Sequence, residues 1–217
     1  MAATGEDTYS LGLQRNKAWA QDTASATPDL FPTLAKGQSP QILWLGCSDS
    51  RCPETTLLGL QPGDVFVHRN IANVINSADL SSAAVLAFAV GNLKVKHVVV
   101  CGHTSCGGVA AALGNASVGG ILDAWLAPLK RLRAENVKQW EKEGISADEQ
   151  KSKLVQANVR ASVKVVRENS VVVEAVKERG LQIHGVVYDV GSGHLEELDT
   201  QEGEEDKGFR EGVFSLK

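Results

Sequence analysis

Apolar positions in this chain fall into short, nearly unbroken runs, separated by longer stretches in which they recur every three or four residues. The runs ILWLG (42–46), VFVHR (65–69), HVVVCG (97–102) and IHGVVYDV (183–190) are rich in β-branched or large apolar residues. Each is too short for an independent helix, and near-continuous apolarity suits strands buried on both faces. Between them, DLSSAAVLAFAVGNL (79–93) and a long charged stretch from Ile121 to about Gly180 carry helical spacing. The alternation predicts an α/β fold, with about four parallel strands in a central sheet flanked by helices. After the fourth run, Gly191 and Gly193 mark a turn, and HLEELD (194–199) is expected to return as a short antiparallel edge strand.

Ahead of the first strand, YSLGLQRNKAWAQD (9–22) places Leu11, Trp19 and small residues on roughly helical spacing, and TPDLFPTLAKGQSP (27–40) then interrupts it with three prolines. This predicts a helical arm followed by a loop, with Trp19 needing cover from this subunit or a partner. The tail TQEGEEDKGFREG (200–212) is acidic and is expected to be loose. Neither an internal repeat nor a low-complexity linker forces a second domain. The expectation is one domain over 1–217: arm and loop 1–37, α/β core 38–200 and acidic tail 201–217.

The 217 residues, 43% of them hydrophobic, are enough for one sizeable core. Lys and Arg number 22 against 26 Asp and Glu, both signs spread along the chain, which argues against nucleic acid as a partner. The start MAATGEDTYS resembles neither a secretory nor an Arg-rich transit sequence. The longest smooth apolar run, AAVLAFAV (83–90), is far short of the ~20 residues that span a bilayer, so no membrane association is expected. These features suit a soluble cytoplasmic protein or the mature form of an organellar one. Four cysteines, Cys47, Cys52, Cys101 and Cys106, are too few for a disulfide framework and point to metal binding or burial.

Two stretches carry the chemistry: WLGCSDSRCPE (44–54) and VVVCGHTSCGG (98–108). In open α/β sheets, ligands bind beyond the carboxyl ends of the strands. Cys47 follows the first strand and His103 the third, and neighbouring strands lie ~5 Å apart, so side chains leaving both ends can converge. Cys106 falls where CGGVAAALG begins to look helical, and the positive end of a helix favours a thiolate. Cys47, His103 and Cys106 together suit tetrahedral zinc better than magnesium or calcium.

Three ligands with one open position is the catalytic pattern, and Asp49 is the contender for the fourth place. Arg51 can hold Asp49 in a bidentate pair and keep it off the metal, free to accept a hydrogen bond from zinc-bound hydroxide. Any one of these cysteines alone reads more simply as core, and SDSR alone as a helix cap with a surface ion pair. C-x-D-x-R at one strand end together with H-x-x-C at another is what favours a site. Cys52 and Cys101 are assigned to burial, and His68, His97, His184 and His194 to structural or exposed roles.

CSDSR and HTSCGG resemble the zinc motifs of β-class carbonic anhydrases, and the resemblance runs from about Gln38 to Tyr188. It implies a zinc enzyme that reversibly hydrates CO2 to bicarbonate and a proton by attack of zinc-bound hydroxide, assembled as a homodimer or homotetramer. Carried over, Cys47, His103 and Cys106 match the zinc ligands, and Asp49 and Arg51 the dyad beside the metal. Gln38 and Phe66 match positions lining the substrate pocket, Phe66 typically across the dimer interface, and Gly107 the position whose N–H meets a bound anion. Phe88 falls where plant-like members carry a tyrosine, so that hydroxyl is missing.

Trp44, Arg69 and Tyr188 stand where some bacterial and related members hold a noncatalytic bicarbonate. They serve equally well as sheet-covering core residues and a carboxylate partner. Two thiolates would offset most of the zinc charge, so activity is expected to rise toward alkaline pH. Two rivals use the same residues: a hydrolase of a CO2-like substrate such as carbon disulfide, and a zinc-stabilised bicarbonate sensor with Asp49 on the metal, against which Arg51 argues.

Overall fold

Each of the four apolar runs is a strand in the computed structural model, which describes residues 7–215. The first residues of the arm and the last two of the tail lie outside that range. The chain divides into two compact units, Met1–Gln38 and Ser39–Lys217.

In the first unit, α1 (Thr8–Ala26) begins at Asp7, whose carboxylate accepts the Ser10 amide at 3.1 Å, a standard N-cap. The proline-bearing segment expected as a loop contains a short helix, α2 (Leu30–Leu34). Proline at position 32 is tolerated there because the first turn of a helix has no use for its missing N–H. Trp19 meets Phe31 edge-on, ring centroids 5.7 Å apart, yet neither helix buries a residue.

The second unit is built on β1 (Ile42–Cys47), β2 (Val65–Asn70), β3 (His97–His103), β4 (Gln182–Tyr188) and β5 (Leu195–Glu197), ordered β2-β1-β3-β4-β5. The first four pair in parallel and β5 is antiparallel to β4. The helices are α3 (Glu54–Leu58), α4 (Leu80–Ala87), α5 (Gly107–Leu113), α6 (Ile121–Trp125), α7 (Ala127–Lys142), α8 (Ala147–Arg167), α9 (Ser170–Arg179) and α10 (Glu204–Phe214). A π turn, Phe88–Asn92, continues α4.

α8 sets the depth of the core. It starts at a capping box between Ser146 and Glu149 and buries Leu154, Val155, Asn158, Val159, Ser162, Val163 and Val166 along one face. Two strand glycines let it press on the sheet. A Cβ on Gly102 would stand 2.8 Å from Val159 and 3.0 Å from Val155, and one on Gly185 2.9 Å from Val159. Leu43, Leu45, Val98 and Val100 fill the same layer. On the other sheet face Trp44, Cys52, Cys101 and Tyr188 form a separate buried cluster.

The tail expected to be loose is α10. Its first turn carries Glu204, Glu205 and Asp206, which complement the positive helix end. Arg210 is buried and forms a bidentate pair with Glu202, with Nε to Oε1 at 2.9 Å and Nη2 to Oε2 at 3.0 Å. An acidic composition concealed this anchor, because one buried arginine outweighs several solvated carboxylates.

Beyond β4, Asp189 accepts hydrogen bonds from the Ser192 hydroxyl (2.6 Å), the Thr104 hydroxyl (2.8 Å) and the amides of Gly191 and Ser192. These hold its carboxyl down to about 2, from an ordinary 3.8. The stability they contribute is therefore complete above the ordinary value and is lost as pH falls toward 2. Asp189→Asn should flatten the pH dependence of unfolding over that window, measured by urea midpoints; an unchanged slope would contradict the assignment. Gly102→Ala should cost about 1–3 kcal/mol through overpacking against Val159, read from the same midpoints.

Candidate active site

Strand register brings the two motifs together. β1 lies between β2 and β3, pairing Leu45 with Val100 on one side and Cys47 with Asn70 on the other. Cys47 is the last residue of β1 and His103 the last of β3, while Cys106 precedes the first turn of α5. One ligand atom from each of Cys47, His103 and Cys106 lies within 4.8 Å of the others, and all three residues are buried. They are the one cluster of this kind among the described residues.

The protonation pattern fits a metal. His103 Nδ1 lies 2.9 Å from the Thr104 carbonyl and donates to it, which leaves Nε2 with a free lone pair. That Nε2 is buried without a hydrogen-bond partner, a costly state for a lone acceptor and the right one for a ligand. The Cys106 side chain beside Cys47 favours the Cys47 thiolate and keeps Cys106 a thiol. This drives Cys47 well below the usual thiol range and Cys106 above it. The Asp49 amide favours the Cys47 thiolate, and the Gly108 and Val109 amides point at the Cys106 sulfur. Burial alone would lower the His103 pKa; the negative charge of the neighbouring Cys47 thiolate overcomes it and raises it. Two sulfurs and an imidazole with electron pairs turned inward are a donor set for a soft divalent ion.

Asp49 stands beside this set. Arg51 grips it at two points, with Nε to Oδ1 at 2.9 Å and Nη2 to Oδ2 at 2.7 Å, and this side-chain hydrogen bonding holds the carboxyl well below the usual carboxylate range. Its Oδ2 is 3.9 Å from His103 Nε2. Arg51 Nη2 also donates to the Ser105 carbonyl at 3.2 Å, so one guanidinium ties the first motif to the second. Ser105 holds that carbonyl out from left-handed backbone, φ 57°. Sequence reasoning missed Ser105, Thr104 and Asp189. The run YDVGSG offered a turn signal for Asp189, while nothing local marked Ser105.

The remaining candidates spread out. Phe66 is half-buried on β2, its ring centroid 5.8 Å from that of Phe88. Gly107 is exposed at the start of α5, with open space where a side chain would be. Gln38 is exposed at the end of the first unit.

Trp44 and Tyr188 share a buried cluster, and Trp44 folds its indole against Gly46, where a Cβ would stand 2.4 Å from Nε1. Parallel register places Arg69 opposite Gly46, on the Trp44 side of the sheet. Its guanidinium is engaged, with Nε donating to Cys47 O at 2.7 Å, Nη2 to Asp49 O at 2.5 Å and Nη1 3.5 Å from Glu54. Burial pushes Cys52 up to about 11 and Cys101 above the ordinary thiol range, which suits inert core thiols.

A family model described as carbonic anhydrase matches residues 42–195. A carbonic anhydrase of Emericella nidulans is 44% identical over 198 residues, covering 89% of this chain and 85% of its own. Among solved structures, the β-carbonic anhydrase CafA of Aspergillus fumigatus aligns with a TM-score of 0.94 at 56% identity, over 97% of this chain and 100% of that one. A tetrameric β-carbonic anhydrase of Sordaria macrospora aligns with a TM-score of 0.86 at 50% identity, over 89% and 98%. The chain belongs to the β-class carbonic anhydrases.

The donor set generates a direct expectation. Protein stripped of metal should take up one zinc per chain, and Cys106→Ser should weaken uptake by well over the about 10–100-fold typical of losing an outer-shell partner. Competition with a chromophoric chelator measures it; wild-type affinity in Cys106→Ser would remove Cys106 from the ligand set.

Proposed function

We propose that this carbonic anhydrase reversibly hydrates CO2 to bicarbonate at a zinc ion held by Cys47, His103 and Cys106. The observation that carries the reading is the orphaned Nε2 of His103, buried against two cysteine sulfurs, with the Asp49–Arg51 pair alongside. Zinc held there supplies a Lewis acid that makes water nucleophilic near neutral pH.

The protein groups do the rest. Asp49 stays ionised because Arg51 pairs with both of its oxygens, and the lone pair left on its carboxylate would accept a hydrogen bond from the attacking water and orient it toward CO2. Arg51 would keep that carboxylate from binding the metal, and its bond to the Ser105 carbonyl ties the two motifs together. By resemblance, Phe66 serves the pocket for CO2 and the Gly107 N–H meets the anionic product, and Gln38 corresponds to a substrate-binding position. The half-buried ring of Phe66 supports an apolar wall.

Assembly and regulation belong to the same proposal. Tyr9, Leu13 and Trp19 are exposed on α1, which buries none of its residues, and this supports a homodimer or homotetramer in which that helix serves contacts between subunits. At Arg69, a bicarbonate near Trp44 and Tyr188 would compete with Glu54 for a guanidinium that also holds the carbonyls of Cys47 and Asp49. Such binding would bear on the Asp49 position, and Arg69→Ala should remove it.

Arg51→Ala tests the centre of the reading. The freed carboxylate of Asp49, 3.9 Å from His103 Nε2, would be close enough to bind a metal held by these residues. CO2 hydration should fall at least ~100-fold, within the range for losing one electrostatic partner of a reaction, with metal content retained. Stopped-flow hydration at wild-type rates in Arg51→Ala would refute the role. Carbon disulfide turnover exceeding CO2 hydration in the wild type would reassign the substrate.

A further inference from the structure

The chain leaves β2 through two consecutive non-glycine residues in left-handed backbone, Ala72 at φ 60° and Asn73 at φ 45°. Both are buried, at 0% and 2% exposure. Such backbone is strained for Ala72, while asparagine adopts it more readily, and a strained residue of this kind persists only where its surroundings hold it.

The holding contacts account for every carbonyl of the turn. Asn70 O accepts the Ser48 amide at 2.8 Å, Ile71 O the Trp125 indole at 2.8 Å, and Ala72 O the Asn158 carboxamide at 2.8 Å. Asn73 O accepts the Ser162 hydroxyl at 3.3 Å, Val74 O accepts the Asn70 carboxamide at 2.9 Å, and the Ile75 amide donates to Ser162 at 3.4 Å. Asn158 and Ser162 lie one turn apart on the buried face of α8.

The turn touches both motifs. Ser48, bound to Asn70 O, sits between Cys47 and Asp49. Ala72 lies where a Cβ on Gly108, two residues after Cys106, would be 2.7 Å away, so its methyl group fills the space that glycine leaves.

We propose that Asn158 and Ser162 are positioning residues for the metal centre. α8 clamps the left-handed turn, and the turn fixes the spacing between the segment bearing Cys47 and Asp49 and the segment bearing Cys106. Strain is what makes the clamp necessary. Without the Asn158 donor the turn relaxes toward ordinary backbone, and Asn70 O and Ala72 move with it. The inference rests on Cys47, His103 and Cys106 being the metal ligands.

The test is cobalt substitution of the full-length protein, reading the sulfur-to-cobalt charge-transfer and visible bands, together with zinc affinity by chelator competition and kcat and KM of the zinc-loaded enzyme. Asn158→Ala and Ser162→Ala should each shift the cobalt bands, lower zinc affinity by about 10–100-fold and reduce kcat more than KM changes. Val163→Ala, a core truncation on the same helix away from the turn, should lower thermal stability and leave bands and affinity as in wild type. If Asn158→Ala does not fold, Ser162→Ala carries the comparison. Wild-type bands and affinity in the clamp variants, or an equal shift in Val163→Ala, overturn the inference alone. No charge-transfer band in wild-type protein overturns the ligand reading and the inference with it.

Discussion

Parallel pairing between β1 and β3 is the constraint on which the rest depends. Because Ile42 faces His97 and Leu45 faces Val100, both strands run out at the same edge of the sheet, one at Cys47 and the other at His103. More than fifty residues separate the two in sequence, and only a shared strand direction brings them together. The long helix α8 keeps that edge in place, since Gly102 and Gly185 let Val159 sit directly on β3 and β4. A sheet slipped by one residue would turn one ligand away from the other.

The electrostatics follow from burial at that edge. Two thiols and an imidazole shielded from water are costly unless their lone pairs are used. The contact between the two cysteines pushes the Cys47 pKa down and that of Cys106 up, and His103 Nε2 has no hydrogen-bond partner. A soft divalent cation resolves both problems at once. Asp49, a hard anionic ligand only 3.9 Å from His103 Nε2, would compete for such a cation if Arg51 did not saturate it. The same arginine reaches Ser105, so charge control and loop spacing are one contact.

Much of this was legible in the sequence. Buried parallel strands need apolar residues on both faces, so the four runs stood out, and Cys47 and His103, which end two of them, could be placed side by side with Cys106 close behind. The motif spacing in C-x-D-x-R foretold the Asp49–Arg51 pair because residues two apart at a strand end can meet without any tertiary information. What escaped depends on long-range partners. Asn158 and Ser162 read as polar interruptions of an amphipathic helix until the carbonyls of Ala72 and Asn73 are placed beside them. The left-handed turn carries no glycine to announce it, and α10 was hidden by its acidic composition although Arg210 anchors it.

Zinc K-edge X-ray absorption on the protein at neutral pH tests the central claim most directly, because it counts sulfur ligands without relying on activity. The account predicts two sulfur scatterers at about 2.3 Å and one imidazole nitrogen at about 2.0–2.1 Å, with one further light ligand. A shell of nitrogen and oxygen alone, or of four sulfurs, would contradict it.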